Sequence, residues 1–188
     1  GGIRGGKKKL DKFYPRSYNM GIKSDVYKAL NGFSKMRFGE DIDFSIRIFD
    51  NGYSCRLFPE AWVYHKRRTD FSKFFKQVYN SGIARINLYK KYPSSLKLVH
   101  LLPAVFTVGV FLLCLSALLL CSLVPLSLLL LYSILIFIDS ATHYKSIKIG
   151  FLSVGAAFTQ LMGYGLGFIE AWWKRCVRGL DEFQAFEK

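Results

Sequence analysis

Three carboxylates, Glu40, Asp41 and Asp43, are crowded at the head of the stretch from Gly39 to Gly52, GEDIDFSIRIFDNG. Carboxylates so placed could cap a helix, hold a metal ion or take a proton, and three are more than a cap requires. Repulsion within such a cluster would raise the pKa of at least one member toward a value useful to a general base. The element that must position them is legible. Ile42, Ile46 and Phe49, with Phe44 and Ile48 beside them, recur at helical spacing, and the pattern predicts an amphipathic helix. The carboxylates then occupy its first turn, where the helix dipole favours negative charge. Asp43 and Arg47, four apart, can pair along one face. Gly52 fits the left-handed position that ends a helix. A simple dipole-complementing cap remains the plain alternative.

Downstream come a short apolar run (Tyr53-Ser54-Cys55-Arg56-Leu57-Phe58), Pro59, and Ala61-Trp62-Val63-Tyr64-His65-Lys66-Arg67-Arg68. Upstream lies the turn Asn31-Gly32-Phe33. This order of Gly-Phe turn, Gly-Glu-Asp-x-Asp, Arg, Asn-Gly-Tyr, Pro-Glu-Ala and Val-Tyr-His-Lys-Arg-Arg resembles the acceptor-side half of family 2 glycosyltransferases, which have the GT-A fold. The resemblance runs from about Tyr18 to Pro93. It implies an α/β fragment, the acceptor half of a GT-A domain, followed by an all-α membrane region of two to three transmembrane helices. It says nothing of which sugar is moved.

The resemblance also assigns roles. It places the general base at Asp41, with Glu40 and Asp43 tuning it or holding acceptor hydroxyls. It makes His65, at the end of an apparent strand, an active-site histidine. Arg67 and Arg68 can grip the oxygens of a leaving diphosphate bidentately, although juxtamembrane positive charge would explain them without a ligand. Gln77 and Arg85 fall near the acceptor side. Ser81-Gly82 stand where processive members carry Arg-Trp after their Gln, which argues against a processive polymer synthase. The family implies a divalent cation (Mg or Mn) whose main ligands belong to a nucleotide-binding half upstream. Asp41-Ile42-Asp43 has the form of an Asp-x-Asp metal motif, but a basic loop (Ser34 to Gly39) precedes it where an apolar strand should. No metal site is therefore expected within the chain, His65 being the one candidate ligand. The opening Gly-Gly-Ile-Arg-Gly-Gly-Lys-Lys-Lys has no initiator Met and no signal-peptide pattern. The chain reads as a C-terminal fragment, inactive alone.

The second half is greasy. From Leu98 to Ile138 there are 41 residues without an Asp, Glu, Lys or Arg. At 1.5 Å per residue this is roughly 60 Å of helix, two crossings of a hydrocarbon core about 30 Å thick. Spans near 98–121 and 123–140 would turn around Ser122 to Pro125. A third uncharged run, Ile149 to Ile169, predicts a span over 149–171 or an interfacial helix. Its Gly163 and Gly167, at small-xxx-small spacing, suit close helix packing and would allow a homo-oligomer. Trp172 and Trp173 beside Lys174 and Arg175 have the character of an interfacial anchor. The organisation expected is an acceptor-side catalytic part over 1–69, a basic helix and linker over 70–97, membrane spans over 98–173 and a polar tail over 174–188.

Between the carboxylates and the spans, Thr69 or Asp70 can cap a helix that Pro93 ends. Phe71, Phe74, Phe75, Val78 and Tyr79 form an aromatic stripe on it, with Lys73, Lys76, Arg85, Lys90 and Lys91 as its charge. Such a helix fits an anionic membrane surface, or the flank of the catalytic part. The net charge of +14 falls beside the spans, and no nucleic-acid-binding motif accompanies it. The positive-inside rule keeps the basic first half cytoplasmic, yet three spans would export the equally basic tail. The four cysteines, Cys55, Cys114, Cys121 and Cys176, show neither disulfide nor zinc spacing, and fit a reducing cytoplasm.

The function expected is a membrane-anchored, inverting transfer of a sugar from a nucleotide-sugar donor to a hydroxyl of a lipid-linked or saccharide acceptor, in cell-surface polysaccharide synthesis. The rival is a non-catalytic membrane module that recruits or stabilises a glycan-synthesis complex.

Overall fold

The computed structural model describes residues 14–15, 17–36, 38–58, 60–64 and 69–181, and the chain divides into two compact units, 1–67 and 68–188.

The first unit is built on two helices, α1 (Ser24–Ala29) and α2 (Glu40–Asp50). Both stop in the same way. After α1, Asn31 takes a left-handed φ of 55°, and the amides of Asn31 and Gly32 return to the carbonyls of Lys28 and Tyr27. After α2, Gly52 does so at φ 76°, with Gly52 and Tyr53 bonding back to Phe49 and Ile48. This paired return satisfies the orphan carbonyls of a helix end. The core is small: Leu30, Phe44 and Ile48, with Met20, Ile22, Val26 and Cys55 against it.

The expected α/β fragment is not what the chain forms. Among the described residues there is no strand and no sheet. Tyr53 to Phe58 and Ala61 to Tyr64, the expected strands, have no regular structure and are mostly exposed. The reason is physical: a strand exists by exchanging hydrogen bonds with a neighbour, and among the described residues no segment offers that ladder.

The second unit is a helical assembly. Its α3 (Phe71–Lys91) begins at Asp70, whose Oδ1 accepts from the Lys73 amide at 2.8 Å, and ends at Tyr92, ahead of Pro93. It continues with α4 (Leu102–Leu119), α5 (Ser127–Tyr144) and α6 (Ile147–Trp172), the last running into a π-helical turn over Trp173–Val177. Three segments, Leu102–Leu119, Val124–Tyr144 and Ile147–Val177, are long and apolar enough to cross a membrane. Leu118, Leu119, Leu123, Leu128 and Leu135 lie exposed on their outer faces, as lipid contact requires.

Helix α6 holds the unit together through its glycines. A Cβ on Gly167 would strike the Tyr79 carbonyl of α3, and one on Gly163 would sit 2.6 Å from a Val78 methyl. Reciprocally, a Cβ on Gly82 of α3 would strike the Tyr164 carbonyl of α6. Gly165 faces Pro103 and Thr107 of α4, and Gly150 faces Phe137 and Ala141 of α5. The aromatic stripe of α3 thus lies along a membrane-capable helix, its Phe71 against Gly155, its Phe75 and Val78 against Gly163. Gly163 and Gly167 therefore meet α3 of the same chain.

Candidate active site: the acidic first turn of α2

Gly39, at a left-handed φ of 87°, turns the chain into α2, and its carbonyl accepts the first helical hydrogen bond from the Asp43 amide at 2.9 Å. Glu40, Asp41 and Asp43 follow in the first turn, as the spacing implied. Their surroundings then separate them.

Asp43 is fully buried, and its Oδ2 accepts from Arg47 Nε at 3.0 Å. The same guanidinium donates to the carbonyl of Leu30 at 2.6 Å and of Gly32 at 2.8 Å. Arg47 thereby ties α2 to the turn that ends α1, and it lies 5.0 Å over the Phe44 ring. Tyr27, Phe33 and Phe44 close the turn as a trio, Phe33 and Phe44 with ring centroids 5.0 Å apart. A fork with three filled bonds to a buried carboxylate and two carbonyls is a fixed scaffold.

Asp41 is 5% exposed. Its Oδ1 accepts from the Ile42 amide at 2.8 Å, and its main-chain carbonyl accepts from Ser45 Oγ at 2.7 Å, Ser45 being itself fully buried. Backbone and side chain of Asp41 are therefore held from both ends of the first turn. Glu40 is half-buried beside it. The pairing of Asp43 with Arg47 was visible as a spacing of four. The two carbonyl bonds were not, since they close over 17 and 15 residues of chain with no linear signal.

Other expected site residues lie elsewhere. Gln77 and Arg85 are on α3 of the second unit, Gln77 exposed with its carbonyl accepting from Ser81 Oγ at 3.0 Å. Arg85 is half-buried and hydrogen-bonded to Tyr164. His100, just before α4, has its pKa lowered to about 4, first by burial and then by the positive charges of Arg85 and Lys97. Its Nδ1 accepts from the Lys97 amide at 3.0 Å, which leaves the proton of the neutral ring on Nε2. Sequence reasoning passed over His100, and it read Arg175 only as part of an interfacial anchor, whereas its Nη1 donates to Asn87 Oδ1 at 2.5 Å. His65, Arg67 and Arg68 lie outside the described residues.

The Asp-x-Asp reading of residues 41–43 does not fit a metal site. A chelate needs both carboxylates, and that of Asp43 is buried against a guanidinium. Among the described residues no three His, Cys, Asp or Glu side chains converge on one point.

Residues 18–140 match the family described as glycosyl transferase family group 2. The match covers more than half of the chain and includes the whole acidic turn, and the chain belongs to this family. With three membrane-capable helices in the same polypeptide, its class is that of a membrane glycosyltransferase. No curated protein and no solved structure matches the chain.

Proposed function

We propose that the protein transfers a sugar, with inversion, from a nucleotide-sugar donor to a hydroxyl of a lipid-linked or saccharide acceptor, in the synthesis of a cell-surface polysaccharide. The observation that carries this reading is the acidic first turn of α2, which lies inside the family match: Asp43 pairs with Arg47, and Asp41 stands two residues before it with its Oδ1 on the Ile42 amide.

Asp41 takes the proton from the acceptor hydroxyl as its oxygen attacks the anomeric carbon. The bond from that carbon to the donor phosphate breaks, and the nucleoside diphosphate leaves. With its side chain held by the Ile42 amide and its main-chain carbonyl by the Ser45 hydroxyl, Asp41 needs little reorganisation to act, which is how a positioned base contributes. Glu40 shapes the same turn. His65, Arg67 and Arg68 stabilise negative charge on the departing diphosphate, and Gln77 and Arg85 serve the acceptor. A divalent cation, which the family implies, would have its main ligands upstream of this chain, and no step here is routed through it. The basic first half favours a cytoplasmic catalytic part.

The test is product stereochemistry. Native membranes containing the protein are supplied in turn with labelled nucleotide-sugars, and the new glycosidic bond is examined by NMR. Inversion at the anomeric carbon is expected. Retention would overturn the single-displacement mechanism. Transfer unchanged after deletion of the protein would favour the recruiting-module reading.

A further inference from the structure

The turn after α1 carries more aromatic surface than the small core beneath it uses. Phe44 is fully buried, but Tyr27 is 40% and Phe33 37% exposed. The three rings pack on one another with centroids 5.0 to 6.0 Å apart, so Tyr27 and Phe33 are each backed by protein and still open to a ligand. They are also held still. Gly32, at a left-handed φ of 64°, passes under Tyr27, and a Cβ there would sit 2.7 Å from the Tyr27 Cζ and hydroxyl. The carbonyls of Leu30 and Gly32, on either side of Asn31, are the two that Arg47 grips. A ring fixed in advance loses little freedom when a ligand settles on it.

Placement gives the rings a use. Phe33 meets α2 at Phe44, and Phe44 lies one helical turn beyond Asp41. Residues three apart are neighbours on a helix surface, so the exposed aromatic surface adjoins the acidic turn. A pyranose ring has two kinds of surface, a slightly positive face of axial C–H groups and a rim of hydroxyls. The C–H face suits the negative face of an aromatic ring. The rim suits carboxylates, which accept from hydroxyls. An acyclic alcohol has no such face, and a bare phosphate would be repelled by three carboxylates.

We propose that Phe33, flanked by Tyr27, is the platform on which the acceptor lies, and that the acceptor is a pyranose whose attacked hydroxyl stands on its rim. As to which hydroxyl reacts, this rests on the transferase reading; as a sugar-binding surface it stands apart from it.

The test is saturation-transfer difference NMR on the purified chain in lauryldimethylamine oxide, a detergent that carries no sugar. The probes are the methyl glycosides of glucose, galactose, mannose and N-acetylglucosamine, with glycerol as the acyclic control. At least one glycoside should take up saturation, strongest on the C–H groups of one ring face, and glycerol should take up none. Phe33→Leu keeps an apolar side chain without a ring, and should lower the signal about fivefold, the worth of one aromatic contact. Phe33→Trp should restore it. Phe58→Leu removes a ring that is 59% exposed elsewhere in the first unit, and should change nothing. If Phe33→Leu does not fold, Phe33→Trp decides alone: its fluorescence, taken as the difference from the unsubstituted chain, should shift when the glycoside is added, and no shift would count against the platform. Absence of any glycoside signal, equal saturation of glycerol, a signal unchanged by Phe33→Leu, or an equal loss in Phe33→Leu and Phe58→Leu would overturn it. A glycoside bound through Phe33 but never glycosylated in native membranes would sink the transferase reading and leave the platform standing.

Discussion

The two units of this chain are held by opposite means. In the first, a buried carboxylate and one guanidinium knit a helix to a turn, over a core of only a few apolar side chains. In the second, two long helices meet where side chains are absent, Gly82 against Tyr164 and Gly167 against Tyr79. The first contact is directional and charged, so it fixes one turn at atomic precision; the second is steric, so it fixes how near two backbones can come. That difference suits their settings. An ion pair specifies the small polar unit that carries Asp41, while helices in lipid gain nothing from hydrophobic burial and associate through close backbone approach.

The contrast can be broken first at Arg47. Arg47→Met takes the guanidinium from the buried Asp43 carboxylate and removes the donors to Leu30 and Gly32. The expected loss is about 3 kcal/mol, the lower end for breaking a buried pair, because the Arg47 side chain is still 21% exposed. Hydrogen exchange over residues 24–52 should rise while α3 and α6 stay protected. Arg47→Lys should recover little, since an ammonium lacks the planar fork.

Next comes Gly167→Ala, which drives a methyl into the Tyr79 carbonyl and should cost about 1–3 kcal/mol as overpacking. Thermal aggregation in detergent measures it. Gly109→Ala is the control, with nothing within 4 Å of the added carbon, and it should be neutral or slightly stabilising. If the two substitutions behave alike, the glycine contacts do not hold the second unit.

A smaller effect is expected from pH. The folded pKa of His100, about 4, lies below the 6.5 of an unperturbed histidine, so the unfolded chain binds the extra proton between these values. The second unit should therefore lose stability as pH falls from about 6.5 toward 4, and His100→Gln should flatten that slope. The smallest change is Lys174→Gln, which removes a partly exposed pair to Glu170 one turn away. It should shift stability by no more than about 0.5 kcal/mol.

Much of this was legible from local rules. The helix after Gly39, its end at Gly52, the Asp43–Arg47 spacing, the Asp70 cap and the uncharged runs all depend on residues close in sequence. What escaped the sequence depends on partners. The apolar runs at 53–58 and 61–65 have strand-like composition, but nothing among the described residues pairs with the described part of either. Gly82 was read as a departure from a family motif, whereas its lack of a side chain lets α6 pass. The aromatic stripe of α3 was assigned to a lipid surface or to the catalytic flank, and its partner is α6. The expectations at His65, Arg67 and Arg68 fall outside the described residues.

The central claim is that Asp41 is the base and Asp43 its scaffold. It is tested most directly by Asp41→Asn, assayed in native membranes for both sugar transfer and nucleotide-sugar binding. The account predicts that transfer falls by roughly 10²–10⁴-fold, the range for loss of a general base, with donor affinity unchanged within about twofold. Transfer at the unmodified rate, or donor affinity lost in step with transfer, would contradict it.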